Sequence, residues 1–204
     1  MSKFTESEKE QIRQCLLNKG KELFIQYGFS KTSIDDIVQA CGIGKGSFYK
    51  FFSSKEELFY VIVNGQEEIR NRLIVEHLQE NLPPREMISS FFHLAFRLAD
   101  ENPLLQQWFQ DGENERIIRK LPGRLIESST QDNVKSGIFF IQSLIDRGVL
   151  KENDPEVIAG VFGAIMMLRL FKERLGHDLF PKIMDVIIDC IAEGLTEPEE
   201  KDPV

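Results

Sequence analysis

TSIDDIVQACGIGKGSFYKFFSSKEEL, residues 32–58, reads as two short helices separated by a tight glycine turn, followed by the start of a further helix. Ile34, Ile37, Val38 and Cys41 recur at helical spacing as one apolar stripe, and Thr32 and Ser33 stand before it as candidate N-caps. Gly42 supplies the sharp turn, since a residue without Cβ enters the left-handed region without a clash. In the next segment Phe48 and Phe52 lie four residues apart on an inward face, which leaves Lys45, Ser47, Tyr49 and Lys50 to project elsewhere. This is the pattern of a helix-turn-helix. Its outward cations and hydroxyls suit a duplex, cations meeting phosphates and hydrogen-bonding tips meeting base edges.

A helix lying in a major groove presents its first turn to the bases, so Lys45, Gly46 and Ser47 are the expected readers. Gly46 lets the backbone approach closely, and Tyr49 and Lys50 follow one turn later. Thr32 or Ser33, together with Lys55, stand at helix N-termini, where free N–H groups and the helix dipole attract a phosphate oxygen.

Several of these residues recur in one order: Gly28-Phe29, Thr32-Ser33, Ile37, Gly42, Lys45-Gly46-Ser47-Phe48-Tyr49, Phe52 and Ser54-Lys55-Glu56-Glu57-Leu58. In this ordered set the first quarter of the chain resembles the TetR family of bacterial transcriptional regulators. Phe51 departs from the pattern, standing where the family often carries histidine or tyrosine. The resemblance implies an all-α protein of about nine helices. A three-helix DNA-binding domain over residues 1–55 would be joined by a long helix to a ligand-binding and dimerisation bundle over 56–204. It also implies phosphate contact for Tyr49, phosphate or base contact for Lys50, and a double-stranded DNA operator of pseudo-palindromic form bound by a homodimer.

Beyond the opening segment the chain continues to read as helix. Thr5 and Glu8 have the spacing of a capping box, and Ile12, Leu16, Leu23 and Tyr27 are expected to point inward until Gly28 ends the helix. Ser53 and Ser54 each precede a glutamate by three residues, so a long fourth helix starts there, with Leu58, Ile62, Ile69 and Leu73 in period up to about His77. Pro83-Pro84 breaks the chain before a helix from Met87 to Asp100, and a short helix opens at Pro103. Loops are expected around Asp111-Gly112 and Leu121-Pro122-Gly123, then a helix from about Arg124 or Asp132 to Asp146, closed by Gly148. Asp154-Pro155 predicts a helix running to Leu175, and a last helix follows at Pro181, with the tail through Pro198, Glu199 and Glu200 frayed.

The body is rich in large soft side chains. Most must be core, but the resemblance implies a small-molecule pocket among them, and Phe92, Phe96, Trp108, Phe109, Phe139, Phe140, Phe162 and Met166 are the candidates for an apolar or aromatic effector. His93, Arg97, Gln107 and Arg169 are polar residues that either orient such a ligand or pair at the surface. The last two helices carry more apolar residues than a surface helix needs, and Gly160, Gly163 and Ala164 would let another helix come close. Val161, Ile165, Leu168, Ile183, Ile187 and Ile191 are the expected dimer contacts.

The net charge of −8 argues against indiscriminate nucleic-acid binding. Its distribution points the other way for one end of the chain: residues 1–55 hold nine Lys/Arg against six Asp/Glu, +3, and residues 56–204 hold sixteen against twenty-seven, −11. A basic head on an acidic body favours one docking orientation on DNA. Cys15, Cys41 and Cys190 form no CxxC pair and read as reduced core thiols. No signal segment opens the sequence and no apolar run is long enough to span a bilayer, so a cytoplasmic protein with no membrane partner is expected. An enzyme is not: there is no Ser/His/Asp set, no phosphate-binding glycine loop and no metal-ligand cluster, and His77, His93 and His177 lie far apart. No cofactor or metal is expected. These features describe a ligand-responsive regulator, most simply a repressor; the competing reading is a helical protein-binding module that does not recognise DNA sequence.

Overall fold

The computed structural model describes residues 4–77, 82–110 and 112–197, with residues 67–77 as backbone alone. Among these residues every regular element is helical: α1 (Glu6–Tyr27), α2 (Ile34–Ala40), α3 (Lys45–Phe48), α4 (Lys55–His77), α5 (Pro84–Glu101), α6 (Pro103–Trp108), α7 (Glu113–Ile118), α8 (Gly123–Asp146), α9 (Pro155–Met167), a 3-10 turn (Leu168–Phe171), α10 (Lys172–Leu175) and α11 (Phe180–Leu195). The all-α expectation holds.

The helix starts follow the sequence signals. Thr5 and Glu8 form the capping box at α1: the Thr5 N–H donates to Glu8 Oε2 at 2.7 Å and the Glu8 N–H donates back to Thr5 Oγ1 at 3.2 Å. Asn102 caps α6 from its side chain, with Pro103 at the first helical position. Asp154 does the same at α9, accepting from the Glu156 N–H at 2.9 Å, with Pro155 next. Two features depart from the sequence pattern. The helix expected to run from Pro155 to Leu175 tightens into a 3-10 turn over Leu168–Phe171 before resuming as α10. In addition, α7 occupies a stretch where apolar periodicity fails: only Ile117 is buried there, and the helix is held by charged side chains instead.

The chain divides into two compact units, one of Met1–Ile69 with Asp100–Ile126 and one of Arg70–Ala99 with Glu127–Val204. The first unit thus takes in α6 and α7 from beyond α5. Its core is aromatic: Phe24, Phe29 and Phe59 pack in a triangle with ring centroids 4.8 to 5.8 Å apart, the Phe24–Phe59 pair edge to face. Leu16, Ile37, Phe48, Leu58, Leu104, Leu105 and Ile117 complete it, all shut off from solvent. Tyr27 departs from expectation. It is 54% exposed in the last turn of α1, whose buried residues are Leu16, Gly20 and Phe24.

The second unit is built on Met87, Ile88, Phe92, Ile141, Leu144, Ile158, Phe162, Phe180, Met184 and Ile188. Phe91, Phe92, Phe140 and Phe162 form its aromatic centre, with neighbouring rings 4.7 to 5.5 Å apart. Cys190 is exposed rather than core, whereas Cys15 and Cys41 are half-buried in the first unit. Burial and a hydrogen bond with Cys15 push the Cys41 thiol up to about 12. The expected side-chain positions of Ile69, Leu73 and His77, and the tail at Pro198, Glu199 and Glu200, lie outside the described residues.

Gly20 marks where α1 and α4 touch. A Cβ built there stands 3.0 Å from Leu58 Cδ2 and 3.2 Å from Ile62 Cδ1. Gly20→Val therefore forces α1 away from α4 and should cost about 1–3 kcal/mol of stability, read as a lowered thermal midpoint.

Candidate nucleic-acid interface

The interface is built from the turn outward. At the start of α2, Ser33 is the N-cap: its N–H and hydroxyl both donate to Asp36 Oδ2, at 2.8 and 2.6 Å, and the Asp36 N–H donates to Ser33 Oγ at 3.2 Å. Those hydrogen bonds to the Ser33 side chain and backbone hold the Asp36 carboxyl below its ordinary value. At the other end the Gly42 N–H bonds to Gln39 O and the Ile43 N–H to Val38 O, at 3.1 and 3.0 Å, closing the helix by a Schellman turn with Gly42 at φ 65. The chain then re-enters a helix at Gly44, the N-cap of α3.

α3 has only four residues, and turns continue it: Lys50 N–H to Ser47 O, Phe51 N–H to Phe48 O and Phe52 N–H to Phe48 O. So short a helix has little stability of its own. Phe48, wholly buried, and Phe52, nearly so, hold it against the core. With those two rings inside, Lys45, Gly46, Tyr49 and Lys50 are exposed and Ser47 is half-buried. The Tyr49 ring stands edge-on to Phe48 at 5.5 Å with 53% of the residue exposed, so an anchored ring presents its hydroxyl end outward. The Lys50 ammonium lies over the Phe4 ring at 4.8 Å. Lys45 is paired with Asp35, Nζ to Oδ2 at 2.9 Å, a hydrogen bond that raises the lysine above its ordinary value. Sequence spacing does not connect those two residues, because the contact crosses the turn and joins α2 to α3.

Two of the expected phosphate contacts sit elsewhere. Thr32 is 2% exposed, and its hydroxyl donates to Gly28 O at 2.8 Å and reaches Leu23 O at 3.2 Å, so it locks the end of α1 to the start of α2 and leaves capping to Ser33. Lys55 donates to Phe29 O and Thr32 O, both at 2.7 Å, with its ammonium 4.3 Å from the centre of the Phe29 ring. Burial pulls its pKa below the ordinary lysine value. In this conformation the Lys55 charge is committed to the α1–α2 connection.

That connection is gripped from α6 and α7 as well. Gln107 Oε1 accepts from the Phe29 N–H at 2.7 Å, and its Nε2 donates to Phe24 O at 2.9 Å. Glu113 and Arg116 reach Ser30, each at 3.4 Å, and pair with each other at 2.8 Å. Lys120 holds Glu56, the second residue of α4, at 2.8 Å. A carboxamide that satisfies one backbone acceptor and one backbone donor 83 and 78 residues away leaves no trace in sequence spacing.

The residues expected around an effector are dispersed. Phe92 and Phe162 are core residues of the second unit, and Phe96, Phe140 and Met166 are half-buried against that core. Phe139 points to solvent at 78% exposure. Trp108 and Phe109 belong to the first unit, Trp108 against Tyr60 with ring centroids 5.7 Å apart. Of the polar candidates, Gln107 is taken up as above, and buried Arg169 donates to Ala99 O at 3.3 Å. His93 and Arg97 line a surface groove of about 550 Å³ on α5 with Glu86, Ser89, Ser90 and Leu94. The expected dimer set is partly inward: Ile165 is in the core of its own unit, and Val161, Leu168, Ile187 and Ile191 pack against that core. Exposed instead are Val157, Gly160, Gly163, Ala164 and Met167 on α9 and Val186 and Cys190 on α11.

A glycine-closed helix pair with a polar outward face, carried on an all-helical chain, defines a helix-turn-helix protein. The family described as bacterial regulatory proteins, tetR family, matches residues 16–61. The HTH-type transcriptional regulator YhgD of Bacillus subtilis (strain 168) is 25% identical over 174 residues, 81% of this chain and 85% of that protein. The HTH-type transcriptional repressor DhaR of Mycobacterium sp. (strain GP1) is 32% identical over 90 residues, which span 44% of this chain and 46% of the repressor. Among solved structures, a TetR-family transcriptional regulator from Pectobacterium atrosepticum superposes with a TM-score of 0.71 at 21% identity, covering 96% of this chain and all of the other. RolR in complex with resorcinol does so with a TM-score of 0.67 at 16% identity, covering 92% and 90%. Residues 16–61 thus match the tetR family, and the chain as a whole has the fold of the TetR-family regulator on which it superposes.

Lys55→Ala removes two hydrogen bonds to buried backbone oxygens and should lower stability by about 1–3 kcal/mol, seen in chemical denaturation. The salt dependence of duplex binding by the folded variant should stay as in the parent; a lost phosphate contact would flatten it by about one unit of slope.

Proposed function

We propose that this protein is a transcriptional regulator, a repressor in its simplest form, which binds a pseudo-palindromic DNA operator as a homodimer and releases it when an apolar or aromatic small molecule binds. The observation that carries this reading is the partition of α3: Phe48 and Phe52 are inside, and Lys45, Gly46, Tyr49 and Lys50 are outside. A helix pinned by its apolar face with lysines, a tyrosine hydroxyl and a bare backbone outward is complementary to a major groove. Residues 1–55 carry operator reading, and 56–204 carry ligand binding and dimerisation. DhaR, by its name a repressor, supports the regulatory direction. The work of the chain is then regulation rather than catalysis, carried out in the cytoplasm where the operator is. Among the described residues no helix is long and apolar enough to cross a membrane.

The effector reading rests on the Phe91, Phe92, Phe140 and Phe162 cluster, whose stacked and tilted rings suit a planar apolar guest that replaces ring–ring contacts with its own. RolR with bound resorcinol shows that a protein of this fold accepts a small aromatic ligand. A guest that favours one head spacing over the other shifts the population away from the operator-competent state.

The dimer reading moves outward by one helical position from the expected residues. On α9, Val157, Gly160, Ala164 and Met167 fall at intervals of three and four, one exposed stripe with nothing within 4 Å of a Cβ placed at Gly160. Val186, 63% exposed, extends the apolar surface on α11. A second copy of this chain covers such a self-complementary patch and sets two reading heads at the spacing of a two-fold operator.

Selection of duplexes from a random pool by the full-length protein should yield a motif with two-fold symmetry. Ser47→Ala should change the preference by roughly 1–3 kcal/mol at one position of each half-site, and Tyr49→Phe should weaken all sequences alike. A pool that emerges without any preferred sequence would favour the protein-binding alternative. Ala164→Arg should convert the dimer into a monomer in sedimentation equilibrium at micromolar concentration and abolish the symmetric footprint; a dimer that survives it does not use this face.

A further inference from the structure

The Asp35–Lys45 pair puts a carboxylate where a DNA-reading surface has every reason to avoid one. Both side chains are exposed, at 68% and 51%, and Lys45 is itself one of the outward residues of α3. Asp35 has no part in the cap of α2, which Asp36 and Ser33 form between themselves. Only Oδ2 of Asp35 accepts from Lys45, which leaves Oδ1 to accept another hydrogen bond. A carboxylate close to phosphates weakens every duplex complex, so its presence calls for a compensating gain in discrimination.

We propose that Asp35 and Lys45 act together as a composite reader of one guanine·cytosine pair in each half-site, with Asp35 as a specificity-determining residue of the head. The inference rests on the DNA-binding reading given above. In the major groove a guanine shows two acceptors, N7 and O6, and its cytosine partner shows the N4 amino donor beside O6. A donor and an acceptor held 2.9 Å apart match that edge in one orientation: the Lys45 ammonium on O6 or N7, Asp35 Oδ1 accepting from N4–H. Reversing the pair to cytosine·guanine sets the ammonium against a donor and the carboxylate against acceptors. An adenine·thymine pair in the same orientation keeps the N7 acceptor, but sets the N6 amino donor where O6 stood and the thymine O4 acceptor where Asp35 expects the N4 donor. A thymine·adenine pair offers its acceptor and donor in the right order, but the ammonium meets one acceptor flanked by a methyl group instead of two acceptors. The ion pair also removes the freedom of a lysine on a flexible stem, which would otherwise pair with whichever phosphate or acceptor lay nearest.

The test compares the full-length protein with Asp35→Ala and the near-isosteric Asp35→Asn, both checked for an unchanged thermal midpoint, in random-duplex selection and in a salt titration on a non-specific duplex. The parent should select a guanine·cytosine pair at a fixed position of each half-site. Asp35→Ala should lose roughly tenfold in preference at that position alone, and should bind the non-specific duplex more tightly with a salt slope steeper by about one unit per head, as Lys45 is released to a phosphate. Asp35→Asn, which keeps an acceptor oxygen but not the charge, should fall between. If both variants keep the parent's preference at every position, the composite reader is overturned while DNA reading stands. If the parent itself selects no sequence, DNA reading fails and takes this inference with it.

Discussion

The buried ring of Phe48 is the constraint on which the head depends. A helix of four residues cannot sustain itself, and its own N-cap, Gly44, offers no side-chain hydrogen bond. Its orientation is set because one large apolar side chain, wholly buried and packed against the Phe52 ring with centroids 6.0 Å apart, has to lie inside. Once Phe48 is seated, helical geometry decides which side chains face out. The polar surface is therefore a by-product of packing, and its accuracy is that of the core behind it.

The same dependence on the fold explains the lysines. Three of them were expected to meet DNA, Lys45 at the bases, Lys50 at phosphate or base and Lys55 at a phosphate, and the structure gives each a different partner: Lys45 a carboxylate, Lys50 an aromatic face and Lys55 two backbone oxygens. Burial lowers the pKa of Lys55. Charge counted along a sequence measures the attraction a surface can exert from a distance. It does not say which cations remain available once folding has taken its share.

What could be read from the sequence was what local rules control. The capping box at Thr5, the turn at Gly42, the proline-led starts at Pro103 and Pro155 and the buried face of α3 all follow from interactions within four residues. What could not be read was decided by contacts between distant segments. Thr32 looked as good a cap as Ser33, and only the carbonyls of Leu23 and Gly28 distinguish them. Gln107 looked like a polar residue near a pocket, and Trp108 like part of its lining, because nothing local assigns α6 to the first unit. The dimer residues are uncertain by sequence for the same reason: Ile165 is apolar enough for either face of α9, and the core took it. α7 has no local signature because its position depends on Glu113, Arg116 and Lys120 pairing with residues of the head, an interaction without periodicity.

The membership of α6 and α7 in the first unit bears on how the protein is made. The head does not finish when its own helices have emerged from the ribosome. Leu104, Leu105, Ile117 and Leu121, and the Gln107 carboxamide that satisfies Phe29 and Phe24, are supplied only after all of α5 has been synthesised. Until then a nascent chain exposes part of an aromatic core, the kind of surface that draws chaperones or aggregates. Excising the amino-terminal segment alone, as one would to obtain a minimal DNA-binding fragment, would leave that surface permanently uncovered.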